Sequence, residues 1–360
     1  MEDCGNLEAR DSRLKEVGST VRPMLRAGVI GLGVGERHIE GYQADPRCRV
    51  VFLCDLNKEK LGEVGKRHPG IALTTSPVDI LENPDIDIVS IASYDDAHRD
   101  QIICALEHGK HVFVEKPLCL TRSEYVDIKE ALARRPDLQL SSNLILRSTP
   151  RFVELRRRIQ AGELGPIYYL EGDYDYGRLH KLTEGWRGRL KEYSVVHGGA
   201  IHLIDLLPWL TGEKVCEVVA YGNGISTQGG QFNGNDMVVA LLKFTNGMVA
   251  KISANFASVA PHHHRLCVYG KEGTFTQSHI GAAYHWSRDP KASPEWVDDP
   301  YPGAAKGDML PVFVQSILES KRAEVTAREV LEAMNVSLAI VESLATGSPV
   351  QVKNEECEPV

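Results

Sequence analysis

Lys116 is the residue best placed to carry out chemistry. It closes segment 87–117, which reads as a strand, a turn, an amphipathic helix and a second strand ending on Glu115-Lys116-Pro117. A lysine held at the carboxyl end of a strand beside a nucleotide site is a candidate proton carrier. A second cluster supplies that nucleotide site. Gly31, Leu32, Gly33, Val34 and Gly35 lie between an apolar strand and the start of a helix. Glycines at such a junction let backbone approach phosphates, and the helix N-terminus offers free N–H groups and a positive dipole end. Asp55 ends the next apolar run, VVFLCD, 24 positions after Gly31, where an acid binds ribose hydroxyls. Strand, glycine turn, helix and acid together specify a dinucleotide. The acid repels a 2′-phosphate and the nearest following cation is Lys58, so NAD is expected over NADP.

The surrounding pattern supplies the elements that hold these residues. From Ala27 to Asn143, short apolar runs alternate with helical stretches near 36–45, 58–68, 78–82, 97–108 and 122–134. That alternation predicts a parallel, doubly wound sheet covered on both faces. After Pro150 the pattern changes. A helix at 151–161 and another at 201–210 flank longer strands, and Thr245-Asn246-Gly247 marks a hairpin. Helices near 308–320 and 328–344 close the chain, and 289–307, rich in Pro, Ala and Asp, reads as a surface loop. The fold class expected is α/β: an N-terminal Rossmann domain (26–145) and a C-terminal α+β domain (146–360) with a large, mostly antiparallel open sheet. Residues 1–25 are polar, lack the apolar core of a secretory signal and read as a flexible extension.

These motifs resemble the glucose–fructose oxidoreductase/inositol dehydrogenase (Gfo/Idh/MocA) family between Ala27 and Gly273. Glu115-Lys116-Pro117 matches the family's E-K-P. Ser93, Tyr94 and His98 lie in a turn similar to its T-P-N-x-x-H, with Tyr94 and Asp95 in place of Pro and Asn. The glycine turn is one residue shorter than G-x-G-x-x-G, which puts His38 in the family's register and leaves Glu36 facing the phosphates unless it turns outward. The resemblance implies that Glu115, Asn143 and the Ser93–His98 turn lie near the nicotinamide, and that Lys116 moves the proton of a reacting hydroxyl. His202, Asp205 and Trp209 fall in register with a family helix, but the acid that normally precedes the histidine by four positions is Gly198 here. Three consequences stay open: His197 partly replaces the acid, Lys116 and His202 act alone, or hydride transfer is lost. His202 and Asp205 share one helix face; core polar bonding is the plain alternative for Asp205.

Ahead of the 201–210 helix lies DYDYGRLHKLTEGWRGRLKEY, dense in rings and cations. Aromatic faces stack on sugar rings, and arginine forks bond hydroxyls or phosphates. Tyr176, Arg178, His180, Trp186 and Arg187 are the substrate-side candidates, joined by Arg147, His197 and Asp205; by resemblance, Trp186-Arg187 and Arg147 match family positions. The activity implied is reversible NAD-dependent oxidation of a secondary alcohol on a sugar, cyclitol or nucleotide sugar. A redox-neutral sugar lyase or glycosidase that keeps its NAD, and a nucleotide-binding sensor, are the alternatives.

Composition narrows the partners. The 360 residues suggest two domains, and a formal charge of −8 argues against nucleic acid. No apolar run approaches a membrane span. The eight cysteines include no C-x-x-C pair, which fits free thiols in a reducing cytoplasm and offers no zinc site. On a strand, at most His262 and His264 of the triple histidine point the same way, so no metal is expected. The family's open sheet implies a homodimer or homotetramer.

Overall fold

The computed structural model describes residues 24–353; residues 1–23, most of the expected N-terminal extension, lie outside it, as do Cys4 and Cys357. The first half alternates strand and helix: β1 (Leu25–Ile30), α1 (Glu36–Gln43), β2 (Cys48–Cys54), α2 (Lys58–Arg67), β3 (Ala72–Thr74), α3 (Val78–Leu81), β4 (Ile88–Ile91), α4 (His98–Glu107), β5 (His111–Val114), α5 (Arg122–Ala133) and β6 (Leu140–Ser142). The strands run parallel in the order β3-β2-β1-β4-β5-β6. This is the Rossmann order, and it reverses between β1 and β4, where a crevice opens at the strand ends. β4 is buried at all four positions, as both-sided helix cover requires. Helix starts follow local chemistry: Asn57 caps α2, and Thr121 with Glu124 forms a capping box on α5.

The second half comprises α6 (Pro150–Gln160), β7 (Ile167–Asp175), α7 (His180–Thr183), α8 (Ile201–Thr211), β8 (Val215–Asn223), β9 (Met237–Phe244), β10 (Val249–Asn255), β11 (His263–Gly270), β12 (Thr274–Ser278), β13 (Gly281–His285), β14 (Glu295–Val297), α9 (Leu310–Leu318), α10 (Ala327–Thr346) and β15 (Val350–Gln351). Nine strands form one open sheet, β14-β13-β12-β11-β7-β10-β9-β8-β15, antiparallel except for the β7–β10 pair. The Asn-Gly turn joins β9 to β10, with Gly247 at φ +90°. β9 alternates buried and exposed residues because only one face is covered. The covering layer is α8, apolar on nearly every side, with α10 packed across it and β8.

Two features depart from the sequence reading. The stretch read as a surface loop contains β14 and carries Tyr301 and Lys306 inward. Of the two closing helices, α9 does not stay with the second half. α9 packs on α1, the ring of Phe313 lies 5.7 Å from that of Phe113 on β5, and Ser316 bonds Gln139 at 2.7 Å. The chain therefore crosses back to brace the Rossmann sheet on the flank beside the crevice.

Candidate active site

The glycine turn fits a dinucleotide. Gly31 has φ +85°, a conformation only glycine adopts without strain, and a Cβ there would strike the Ala92 backbone. A Cβ on Gly35 would strike the Gly31 carbonyl, whereas one on Gly33 would meet nothing, leaving that position open to phosphate. α1 begins with no side-chain cap; the Arg37 and His38 N–H groups turn back to the Val34 and Gly35 carbonyls at 2.9 and 3.0 Å. Glu36 turns outward to Arg67 at 2.7 Å, which removes the expected clash with phosphate. Asp55 pins the turn by accepting the Leu32 N–H at 2.8 Å and caps its own strand end through the Asn57 N–H at 2.8 Å. A carboxylate has about four acceptor positions, so it retains capacity for ribose hydroxyls. The Leu32 side chain itself is core.

Glu115 is held from two sides. His38 Nε2 lies 3.2 Å from its Oε1, with His38 Nδ1 2.7 Å from Ser90 Oγ, and Asn143 donates to the same Oε1 at 2.7 Å. Burial opposes its ionisation, but His38, Lys306 and Asn143 outweigh burial and keep the carboxyl well below the usual range. Asn143 also donates to the Lys306 carbonyl at 3.1 Å, while its own Oδ1 is buried without a partner. A buried acceptor without a partner is a natural place for a ligand donor.

Lys116 follows on the same strand end. Its Nζ donates to the Gly198 carbonyl at 2.7 Å. Desolvation comes first, with Lys306 and Arg187 adding repulsion, and together they lower the amine to about 8 against the opposing pull of Glu115 and Asp95. Gly198 belongs to one π turn, Val196–Ala200, that leads into α8, and such turns expose carbonyls to outside donors. His202 sits on the next turn, its ring 6.0 Å from Tyr174 and 6.2 Å from His264, with a buried, unpartnered Nδ1. Burial, then the charges of Lys116, His264 and Lys306, pushes it well below its ordinary value, so it is a neutral imidazole near neutrality. Lys116 and His202 thus share one crevice.

The other expected residues divide into two groups. Tyr94 and Trp186 meet at 4.8 Å between ring centroids, so the 176–189 segment folds down onto the β4 turn. Arg187 stacks on Trp186 at 4.4 Å and acts electrostatically on Lys116. Tyr176 stacks on Tyr174 at 5.4 Å and carries Arg178 over its ring at 4.9 Å. These form the crevice wall.

The second group is committed to structure. Arg147 and Asp205 are not free for a substrate: they pair in the interior, Nη2–Oδ1 at 2.5 Å and Nε–Oδ2 at 2.9 Å, and Arg147 Nη1 reaches Glu329 at 2.8 Å. His197 does not stand in for an acid at 198, because it is fully buried with Nδ1 2.8 Å from Ser337 Oγ on α10. His98 Nδ1 lies 2.7 Å from the Pro117 carbonyl and braces the lysine loop from below; Ser93 Oγ donates to Gln101 at 2.8 Å on α4. His180 is exposed on α7, and among the described residues no hydrogen bond or ring contact ties it to the crevice.

Three contributors escaped the sequence reading. Lys306 came from a stretch whose composition reads as loop, and nothing local marks its direction. Asp95 was noted only as a departure from Asn. Tyr193 carried no motif. His262 and His264 converge at 4.9 Å, while His263 points away to His279 at 4.3 Å. Among the described residues no group of three ligands is placed to hold a metal.

Two family models match the chain: "Oxidoreductase family, NAD-binding Rossmann fold" over residues 25–143 and "GFO/IDH/MocA C-terminal domain" over residues 152–276. The chain is 26% identical over 349 residues to an uncharacterized oxidoreductase, YrbE, of Bacillus subtilis (strain 168), spanning 91% of this chain and 97% of that protein. It is 29% identical over 259 residues to the scyllo-inositol 2-dehydrogenase (NAD(+)) of the same organism, covering 69% and 72% respectively. The crystal structure of scyllo-inositol dehydrogenase from Lactobacillus casei, with bound NAD(H) and scyllo-inositol, shares the fold: TM-score 0.76, 20% identity, 91% of this chain and 99% of that one.

Proposed function

Because the chain belongs to the GFO/IDH/MocA oxidoreductase family, whose N-terminal domain is an NAD-binding Rossmann fold, we propose that it oxidises, reversibly, a secondary alcohol of a sugar, cyclitol or nucleotide sugar. NAD, when bound, supplies the hydride acceptor. The glycine turn and α1 receive its pyrophosphate, and Asp55 its ribose. The Glu115–Asn143 pair borders the reacting end of the crevice. Lys116 Nζ takes the hydroxyl proton in its neutral form and returns it in the reverse direction. His202, neutral and with a free ring nitrogen, hydrogen-bonds the same or an adjacent hydroxyl. Tyr176, Trp186 and Arg187 present aromatic faces and a cation to the ring, as carbohydrate binding requires.

The observation that carries this reading is the Lys116 amine, held by the Gly198 carbonyl at 2.7 Å beside a glycine turn shaped for phosphate; desolvation, which lowers the amine's proton affinity, supports it. Lys116→Met should cut turnover by about two to four orders of magnitude, as for loss of a general acid–base group, while NAD binding persists. Turnover within a few-fold of the parent would reject the role. Product formation without net NADH would instead favour the redox-neutral alternative.

No helix among the described residues is long and apolar enough to cross a membrane. A cytoplasmic location accords with the free thiols of Cys48, Cys54, Cys104, Cys119, Cys216 and Cys267. The uncovered face of the large sheet presents Tyr221, Val239, Leu241 and Val249, an apolar strip suited to pairing of two copies. Sedimentation equilibrium of the purified chain tests for the homodimer or homotetramer; a monomer at micromolar concentration would refute it.

A further inference from the structure

The floor of the crevice is continuous from the glycine turn to the last strand of the Rossmann sheet. A Cβ on Gly31 would strike the Ala92 carbonyl, so the phosphate turn lies against the end of β4. The Glu115 N–H donates to the Ile91 carbonyl at 2.8 Å, and the Asn143 N–H to the Val114 carbonyl at 3.1 Å. Glu115 therefore sits beside the end of β4, and Asn143 beside Glu115. A pyrophosphate on the glycine turn directs the second half of a dinucleotide across β4 and β5. The nicotinamide ring of that half is a cation in NAD⁺ and neutral in NADH. Glu115 is 7% exposed, and its Oε1 is held from two sides, by His38 Nε2 at 3.2 Å and Asn143 Nδ2 at 2.7 Å. Among the described residues its other oxygen, Oε2, accepts no hydrogen bond. His38 and Ser90 are fully buried, with Nδ1 2.7 Å from Ser90 Oγ. Since Nε2 donates to a carboxylate, a neutral ring leaves Nδ1 to accept the Ser90 hydroxyl, and the imidazole cannot turn without losing both bonds.

We propose that Glu115 makes this crevice prefer the oxidised nicotinamide over the reduced one, and that His38, fixed by Ser90, is the positioning residue that holds the carboxylate there. A carboxylate shielded from water attracts a cation more strongly than one in water, and it has no such hold on a neutral ring. The other charged groups do not supply this preference. Lys116 shares the strand end, and Lys306 arrives from the segment before α9, its carbonyl taken by Asn143 Nδ2 at 3.1 Å; as cations both oppose NAD⁺. Arg187 stays on the wall segment, stacked on Trp186 at 4.4 Å. Asp95 lies on the turn after β4, where burial raises its carboxyl and disfavours its charge. Glu115 keeps its charge because His38 and Asn143 donate to it and Lys306 attracts it. Glu115 loses its opposite charge once hydride has been taken up, which favours release of the reduced cofactor. The inference rests on the reading of this crevice as the NAD site with its reacting end at Lys116.

The test uses NAD⁺ and NADH themselves and needs no sugar. Full-length protein is titrated with each at neutral pH, NAD⁺ by calorimetry and NADH by fluorescence, and the ratio of the two dissociation constants is compared between variants. Glu115→Gln should move that ratio toward NADH by at least about tenfold, as loss of a nearby opposite charge does, and mostly through weaker NAD⁺ binding. His38→Leu should move it the same way by a smaller factor. His38→Gln restores an N–H donor and should bring the ratio back to within about twofold of the parent. A merely structural role for His38 would lower the melting temperature and both affinities together and leave the ratio alone. An unmoved ratio in Glu115→Gln, or in a folded His38→Leu, overturns the proposal. Should Glu115→Gln not fold, the two His38 variants decide alone. If the parent binds neither form of the cofactor, the reading beneath fails. If it binds both and the ratio stays fixed in the variants, only this inference fails.

Discussion

Asp205→Ala offers the sharpest test of what the interior ion pair does. Arg147 and Asp205 are 3% and 2% exposed at their side chains, and the guanidinium spends its fork on Asp205 and its remaining arm on Glu329. Removing the Asp205 carboxylate strands a desolvated guanidinium with one acidic partner on its far side. Breaking a buried pair in this way costs about 3–5 kcal/mol. At roughly 2–4 °C per kcal/mol for domains of this size, the melting temperature should fall by about 6–20 °C. The double variant Arg147→Met, Asp205→Leu removes both charges and should recover most of that loss, because the pair's Coulombic gain mainly offsets its own desolvation. Differential scanning calorimetry measures the melting temperature, and NAD titration of the folded variant reports on the crevice. NAD affinity and KM for the sugar should stay within about twofold of the parent. If Asp205→Ala melted within about 2 °C of the parent yet lost kcat/KM, the pair would be facing the substrate and the structural account would be wrong.

The pH profile follows from Lys116. With its amine lowered to about 8, kcat/KM for alcohol oxidation should rise with pH up to that value as the neutral form accumulates. Reduction of the corresponding ketone should fall above it, since that direction consumes the protonated form. Steady-state rates in both directions check this, and parallel profiles would exclude a lysine-borne proton. Gly31→Ala forces a φ of +85° on a residue with a Cβ that meets the Ala92 backbone, a strain of about 1–2 kcal/mol before the clash is counted. NAD affinity should drop at least about tenfold, read by fluorescence titration; unchanged affinity would mean the dinucleotide does not rest on this turn.

How much of this was legible in the sequence depended on whether the information was local. The alternation of apolar runs and helical periods through Asn143 marked the parallel sheet, because strands covered on both faces must be apolar throughout. The glycine turn and Glu115-Lys116 were legible because backbone conformation and strand-end position are written in neighbouring residues. β14 and β15, of three and two residues, are too short to show a period. The destination of α9 was hidden too, since an amphipathic helix does not specify which layer covers its apolar face. The same limit explains Arg147 and Asp205. Each looked like a ligand group on its own element; only the fold brings positions 58 residues apart within bonding distance. Lys306 was unreadable for the converse reason: a loop composition says that chain reverses, not which way a cation points.

Gly198 shows how a missing motif residue can be misread. From the sequence, loss of an acid left three readings: partial substitution by His197, a pair of Lys116 and His202 acting alone, or loss of hydride transfer. His197 is occupied with Ser337, and the amine of Lys116 has instead taken the Gly198 carbonyl. The two partners differ in kind. A carboxylate at bonding distance stabilises the protonated amine by a full charge, which would hold it protonated at neutral pH and make it a slow base. A carbonyl dipole fixes the amine's position while contributing far less to its proton affinity. Burial, Lys306 and Arg187 can then bring it into the range where both protonation states are populated. The glycine therefore does not count against proton transfer in this crevice. It separates two tasks that an acid at that position would combine: holding the lysine in place and setting how tightly it keeps its proton.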